Sequence, residues 1–157
     1  MKIRKAKKED LDAVVELGYG MLMFHTKFNT YYQPIKDRTK LREITSKYFL
    51  KLMRSRNALF LVAEDDGKIV GHAIGEIKKN PTGLLEEKHG EVGEIFIKKE
   101  YRRTGLGKQF IDDILDWLKT KKIKRVVVDF DSKNGIARTA YKKMGFSPFK
   151  EIYQMDL

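Results

Sequence analysis

Arg102-Arg103-Thr104-Gly105-Leu106-Gly107-Lys108 stands between two patterns of different period. Before it, Glu91 to Ile97 alternates as a strand; from Gly105 to Lys122, Phe110, Ile111, Ile114, Leu115 and Leu118 recur on one helical face. The heptapeptide is therefore a strand-to-helix turn. Its two glycines let the backbone come close to a ligand, and the first amides of the following helix have no partners within that helix. Amides of this kind, at the positive end of a helix dipole and beside Arg102, Arg103 and Lys108, suit a phosphate or pyrophosphate. A plain glycine-containing helix entry has the same spelling, so the placement carries more than the letters. The loop lacks the Lys-Ser/Thr ending of a P-loop, and no glycine-rich dinucleotide fingerprint follows the first strand.

The flanking sequence fills in a mixed architecture. Arg125 to Phe130 is a short β-branched strand, and Asn134 to Met144 a helix stopped by Gly145. Toward the amino end, Met1 to Ala6 reads as a strand. Leu11, Val14, Val15, Leu17, Met21 and Leu22 mark a first helix that ends near His25 to Asn29. Thr30 to Pro34 interrupts it, and Leu41, Ile44, Tyr48, Leu52 and Met53 mark a second helix. Ala58 to Ala63, the turn Asp65-Asp66-Gly67-Lys68, and Ile69 to Ile77 read as a β-hairpin. Phe146 to Leu157 alternates enough to predict a final strand or hairpin. The order β-α-α-β-β-β-α-β-α-β places the chain in the α/β (α+β) class, a mixed sheet with helices on its faces.

At 157 residues the chain fits one domain, 1–157, with no internal repeat or linker. It has no cysteine, which excludes disulfides, a Cys-based zinc site and a thiol nucleophile. Basic residues open the chain, but Glu9, Asp10 and Asp12 follow where a signal peptide needs an apolar stretch, and no run reaches transmembrane length. A soluble cytoplasmic protein is expected. The net charge of +11 comes from Lys and Arg interleaved with Glu and Asp along the whole chain, which reads as a mixed-charge surface more readily than a nucleic-acid face.

A second constellation lies at Asn134-Gly135-Ile136-Ala137-Arg138-Thr139-Ala140-Tyr141-Lys142-Lys143-Met144-Gly145-Phe146. Asn134 and Tyr141 are two helical turns apart and share a face. By itself this is a capped helix with an amphipathic tyrosine. The two features together, in this order, resemble the GNAT superfamily of N-acetyltransferases over nearly the whole chain, most strongly from Glu91 to Phe146.

The resemblance implies a mostly antiparallel sheet of six or seven strands flanked by about four helices, and acetyl-CoA as co-substrate without a metal. Arg102, Gly105 and Gly107 match the family's Arg/Gln-x-x-Gly-x-Gly/Ala loop, so that Arg102, Arg103, Thr104, Gly105, Leu106, Gly107 and Lys108 would cradle the CoA pyrophosphate. Ile95-Phe96-Ile97 stand where the family's fourth strand pairs with the pantetheine arm. Asn134, Ala137, Tyr141, Gly145 and Phe146 match its C-terminal motif, which adds Asn134, Ala137 and Tyr141 to the cofactor-binding set. Many relatives have a proline just before the loop; Lys98-Lys99-Glu100 occupies that stretch here.

Acetyl transfer from a thioester to an amine needs a neutral amine, stabilisation of an oxyanion and a proton for the leaving thiolate. The resemblance assigns the second role to a backbone amide near Ile95 and the third to the Tyr141 hydroxyl, a phenol that stays protonated at neutral pH. The base falls first to Glu91, which matches the glutamate of histone-type members, and nearly equally to Glu94, nearer the oxyanion position. Strand alternation sets these two on opposite faces unless a bulge intervenes, and water is a third candidate. Asp129 and Asp131 either draw in a cationic acceptor or cap a turn. The acceptor would lie against Met21 to Tyr32, whose aromatics and methionines are otherwise core packing, as is His25.

The activity expected is direct transfer to a primary amine in a ternary complex, the acceptor being a small cationic amine. Acetylation of a protein N-terminus or lysine is the alternative within enzymes. A non-catalytic acetyl-CoA-binding or nucleic-acid-binding module is the alternative outside them. The expected partners are acetyl-CoA and the amine acceptor, with no nucleic acid and no membrane; a homodimer stays open.

Overall fold

The computed structural model describes residues 1–155 and 157. A single five-stranded sheet, in the spatial order β1-β2-β3-β4-β5, organises the described residues. Strand β1 (Lys2–Lys5) leads through a 3-10 turn into α1 (Leu11–His25), and α2 (Arg38–Arg54) follows. Strands β2 (Ala58–Asp65), β3 (Lys68–Lys79) and β4 (Lys88–Ile97) form an antiparallel meander. Helix α3 (Leu106–Thr120) then crosses over to β5 (Val126–Val128), parallel to β4, and α4 (Gly135–Lys143) follows. The long connection is what a parallel pair requires, since a tight turn can join only antiparallel neighbours. No helix among the described residues is long and apolar enough to cross a membrane.

Side-chain alternation in the strands feeds two cores, one on each sheet face. Leu59, Leu61, Val92 and Ala73 pack against Leu106, Phe110, Ile114 and Leu118 of α3. On the other face Phe60, Val62 and Ile74 pack against Val14, Val15 and Leu17 of α1 and Phe49 and Leu52 of α2. The α3 core is close-fitting at two strand glycines. A Cβ on Gly75 would stand 2.6 Å from Ile114 Cγ2, and one on Gly90 would stand 2.5 Å from Leu118 Cδ1. Ile114 is β-branched and stiff. Gly75→Ala is therefore expected to cost about 1–3 kcal/mol, read as a thermal midpoint lower by roughly 2–10 °C.

The elements match the sequence reading in type and order up to α4. The difference lies in the tail. Phe146 to Leu157 forms no strand among its described residues, so the described sheet has five strands, fewer than the six or seven expected. Pro148 removes a ladder donor, and Phe149, Ile152, Tyr153 and Met155 are all exposed. Alternation with neither face buried specifies no register. The tail instead runs back to the connection between α1 and α2, where Asn29 Nδ2 donates to Gln154 Oε1 at 3.0 Å.

Candidate active site

The site begins with a register irregularity in β4. Gly75 stands opposite Val92 and Ala73 opposite Ile95, so Gly93 and Glu94 together oppose Ile74. This is a β-bulge, and it resets the alternation by one residue. Val92, Ile95 and Ile97 consequently face α3, whereas Phe96 packs into the core beneath α1 and α2. Glu91, directly opposite Glu76, and Glu94, against His72, end up on that same α1–α2 face. The two candidate glutamates therefore lie side by side, the case that the sequence left conditional on a bulge.

The same irregularity marks where the sheet opens. β4 stays paired with β3 as far as Gly71 opposite Ile97, but it pairs with β5 only from Gly90 to Val92. β5 ends at Val128, opposite Val92, so Gly93 to Ile97 has no strand partner on that side among the described residues.

At the far end of β4 a 3-10 turn, Lys99–Tyr101, leads into the glycine loop. Arg102 Nε donates to the Ile97 carbonyl at 2.8 Å, and its guanidinium lies 5.4 Å from the Phe24 ring centre and 5.5 Å from that of Phe96. Both contacts fix the arginine beside the end of β4. Thr104 Oγ1 donates to the Tyr101 carbonyl at 2.9 Å. Arg103 (φ 65°) and Gly105 (φ 87°) both adopt the left-handed region, which turns the chain sharply into α3. Gly105 is the N-cap and offers no side chain to the first helical amides. A Cβ built on it meets nothing within 4 Å, so the space before the helix end is open. Leu106 is buried in the α3 core and can face this space only through its amide. Gly107 is half-buried, with Ile97 Cδ1 3.6 Å from where its Cβ would be. Lys108 is exposed and pairs with Asp112 at 2.6 Å.

Asn134 caps α4, its Oδ1 accepting from the amide of Ala137 at 3.1 Å. Tyr141 stacks on Phe130 at 5.5 Å between ring centres and meets Phe146 edge-on at 5.5 Å. Burial, followed by the charge of Asp129, pushes the Tyr141 phenol up to about 12. Its proton is thus held throughout the neutral range.

Carboxylates gather on the α1–α2 face. Glu76 accepts from Lys78 Nζ at 2.9 Å, and the same ammonium lies 4.0 Å from Glu91. Glu94 is not part of that pair; it meets His72 Nε2 at 3.4 Å and lines a cleft between α1 and α2 with Tyr19, Leu22, Thr45 and Tyr48. Burial and the charges of Glu76, Glu94 and Glu91 push the Tyr48 phenol up to about 12. Burial draws His25 below its ordinary value, against the opposing pull of Asp131, Glu94 and Asp129. The charge of Glu94 acts on both Tyr48 and His25. Asp131 also accepts from the amide of Lys133 at 2.8 Å, the turn-capping role considered for it.

Sequence reading did not single out His72, Glu76 or Tyr48 for the site. Their membership depends on the β3–β4 register and on how α2 lies across it, neither of which has a local signal. His25, Phe28 and Tyr32 cluster at the end of α1, and Lys133 Nζ donates to the Phe28 carbonyl at 3.0 Å, joining this end of α1 to the loop after β5.

Residues 21–146 match the family described as the acetyltransferase (GNAT) family. N-acetyltransferase 8 of Homo sapiens is 29% identical over 108 residues, 69% of this chain but 45% of that protein. An N-alpha-acetyltransferase of Sulfurisphaera tokodaii is 28% identical over 110 residues, 67% of this chain and 66% of the relative. The chain thus spans about half the length of the human relative and two thirds of the archaeal one. In three dimensions it is similar to a predicted acetyltransferase from Clostridium acetobutylicum solved with acetyl-CoA, with a TM-score of 0.79 at 17% identity, covering 99% of this chain and 95% of that one. With most of its length matched, and with the fold and order of elements that go with the match, the chain belongs to the acetyltransferase (GNAT) family.

Proposed function

We propose that this protein transfers an acetyl group from acetyl-CoA to a small cationic primary amine by direct attack within a ternary complex. The observation that carries the reading is that β4 pairs with β5 only from Gly90 to Val92, which leaves Gly93 to Ile97 without a strand on that side just ahead of the uncapped α3 end. The residues fit the cofactor. The α3 amides and Arg102 would take the pyrophosphate, with Arg103 and Lys108 adding charge, and the open space at Gly105 leaves room for it. The free edge of Gly93 to Ile97 would pair with the pantetheine amides. Acetyl-CoA supplies the thioester whose acetyl group is transferred.

The roles proposed for the chain's own groups are those the family resemblance implies. A backbone amide near Ile95 donates toward the developing oxyanion. The Tyr141 hydroxyl donates a proton toward the sulfur. Between the two glutamates we favour Glu94 as base, because Lys78 is shared by Glu76 and Glu91 while Glu94 faces the cleft. A chain of net charge +11 that nonetheless sets Glu76, Glu91 and Glu94 on one sheet face, with Glu94 in the cleft, favours a positively charged acceptor. The name of the archaeal relative supports a second reading, acetylation of a peptide amino terminus.

Thiol release from acetyl-CoA, measured against polyamines, aminoglycosides, amino acids and lysine or N-terminal peptides, separates these readings. The chain has no cysteine to contribute background. Saturable turnover with a polyamine or aminoglycoside, and little with peptides, is the expected result. Turnover with peptides alone would move the acceptor to the second reading. Acetyl-CoA binding without any turnover would leave a non-catalytic module, and absence of binding would remove the proposal altogether.

A further inference from the structure

His72 lies in the middle of β3 with none of its surface exposed, between the rings of Phe49 and Phe60, each 5.8 Å away. Its Nε2 reaches Glu94 Oε2 at 3.4 Å, while its Nδ1 is buried with no hydrogen-bond partner. A buried polar atom without a partner costs about 1–3 kcal/mol, so a side chain that only filled this space would do better as leucine. The same observation assigns the proton. With hydrogen on Nε2, the ring donates to the carboxylate and leaves a bare lone pair at Nδ1. With hydrogen on Nδ1, an N–H is orphaned and a lone pair is turned toward a negative oxygen. The first arrangement wins on both counts.

We infer that His72 is a positioning residue that keeps the Glu94 carboxylate aimed into the acceptor cleft by donating from Nε2. This rests on Glu94 being the base. The contact crosses from β3 to β4 at the bulge, where Glu94 has been turned off the α3 face and has no neighbour along its own strand to orient it. At 3.4 Å it is long, as hydrogen bonds of catalytic groups often are before the substrates are bound. The titratable and charged groups around the pair are Glu76 and Lys78 on β3, Glu91 on β4, Tyr48 on α2 and His25 on α1, with Glu16, Tyr19, Arg38 and Arg42 lining the cleft that Glu94 shares.

The experiment titrates the Glu94 carboxyl by carbon NMR in the wild type, in His72→Leu and in His72→Gln, whose amide nitrogen can stand in for Nε2. Loss of the donor is expected to raise the Glu94 midpoint in His72→Leu, with most of the shift reversed in His72→Gln. The acidic limb of kcat/KM, measured with whichever amine the panel selects, should rise by the same amount, and kcat should fall about tenfold without a change in acetyl-CoA affinity. An unmoved midpoint and limb in a folded His72→Leu protein, while Glu94→Gln is inactive, would overturn the role of His72 and leave Glu94 as base. Full turnover in Glu94→Gln would instead remove the base assignment and this inference with it. Should His72→Leu not fold, nitrogen NMR of the wild-type ring decides. Hydrogen on Nε2, with a signal that shifts in Glu94→Gln, supports the inference; hydrogen on Nδ1 overturns it.

Discussion

Tyr141→Phe is expected to lower kcat by about 100-fold while acetyl-CoA binds with unchanged affinity. The split follows from what the substitution leaves alone. The aromatic ring, which stacks on Phe130 and meets Phe146, is retained, so α4 keeps its packing. Only the hydroxyl is lost, and with it the proton proposed for the leaving sulfur. Single-turnover rates and calorimetric binding read the two quantities separately. Because burial and Asp129 push this phenol up to about 12, its own deprotonation lies beyond the range in which most assays run. Any fall in wild-type rate between about pH 8 and 10 should therefore persist in Tyr141→Phe. Unchanged kcat in the variant would remove Tyr141 as the acid.

Gly105→Val should act on the other side of the ledger, weakening acetyl-CoA binding about tenfold or more with a smaller effect on kcat at saturation. Two causes combine. Gly105 has φ 87°, where a β-branched residue is strained, and its side chain would project into the open space before the α3 amides. Gly67, in the turn between β2 and β3, is a matched control, with φ 73° and nothing within 4 Å of a Cβ. Gly67→Val carries the same kind of backbone penalty in a place without a ligand. The expected pattern is a lowered thermal midpoint in both variants and weakened cofactor binding in Gly105→Val alone. Equal affinities would count against the loop as a pyrophosphate site.

Both variants fall in the part of the chain that was readable from residue order, and that is no accident. The glycine loop and the α4 cap are local features. Gly105 declares its left-handed turn, and Asn134 declares its cap, within a few residues of sequence. Helices α1, α2 and α3 and the β2–β3 hairpin show the same economy, each with its own period or turn chemistry. What stayed hidden depends on partners distant in the chain. The bulge at Gly93 and Glu94 appears only once β4 is laid against β3, since Val92 to Ile97 by itself passes for ordinary alternation. The acidic face under α2 was invisible for the same reason, because Glu76 and His72 reach Glu91 and Glu94 through pairing. The tail erred in the opposite direction. Its alternation is present in the letters, but with Phe149, Ile152, Tyr153 and Met155 exposed there is no buried face to turn it into a strand.

The single extra residue in β4 also separates two histories within one strand. Ahead of it Gly90 and Val92 meet the α3 interior, where a change of one methyl is felt; after it Ile95 and Ile97 do so, and Glu94 and Phe96 take the other face. The carboxylates at positions 91 and 94 both stand on the α1–α2 face, so exchanging either should leave the packing against α3 unchanged. Deleting one residue there would have the contrary effect, rotating Glu94 and Phe96 toward α3 and Ile95 and Ile97 away from it, so that tolerance to substitution and intolerance to deletion should coincide within two positions.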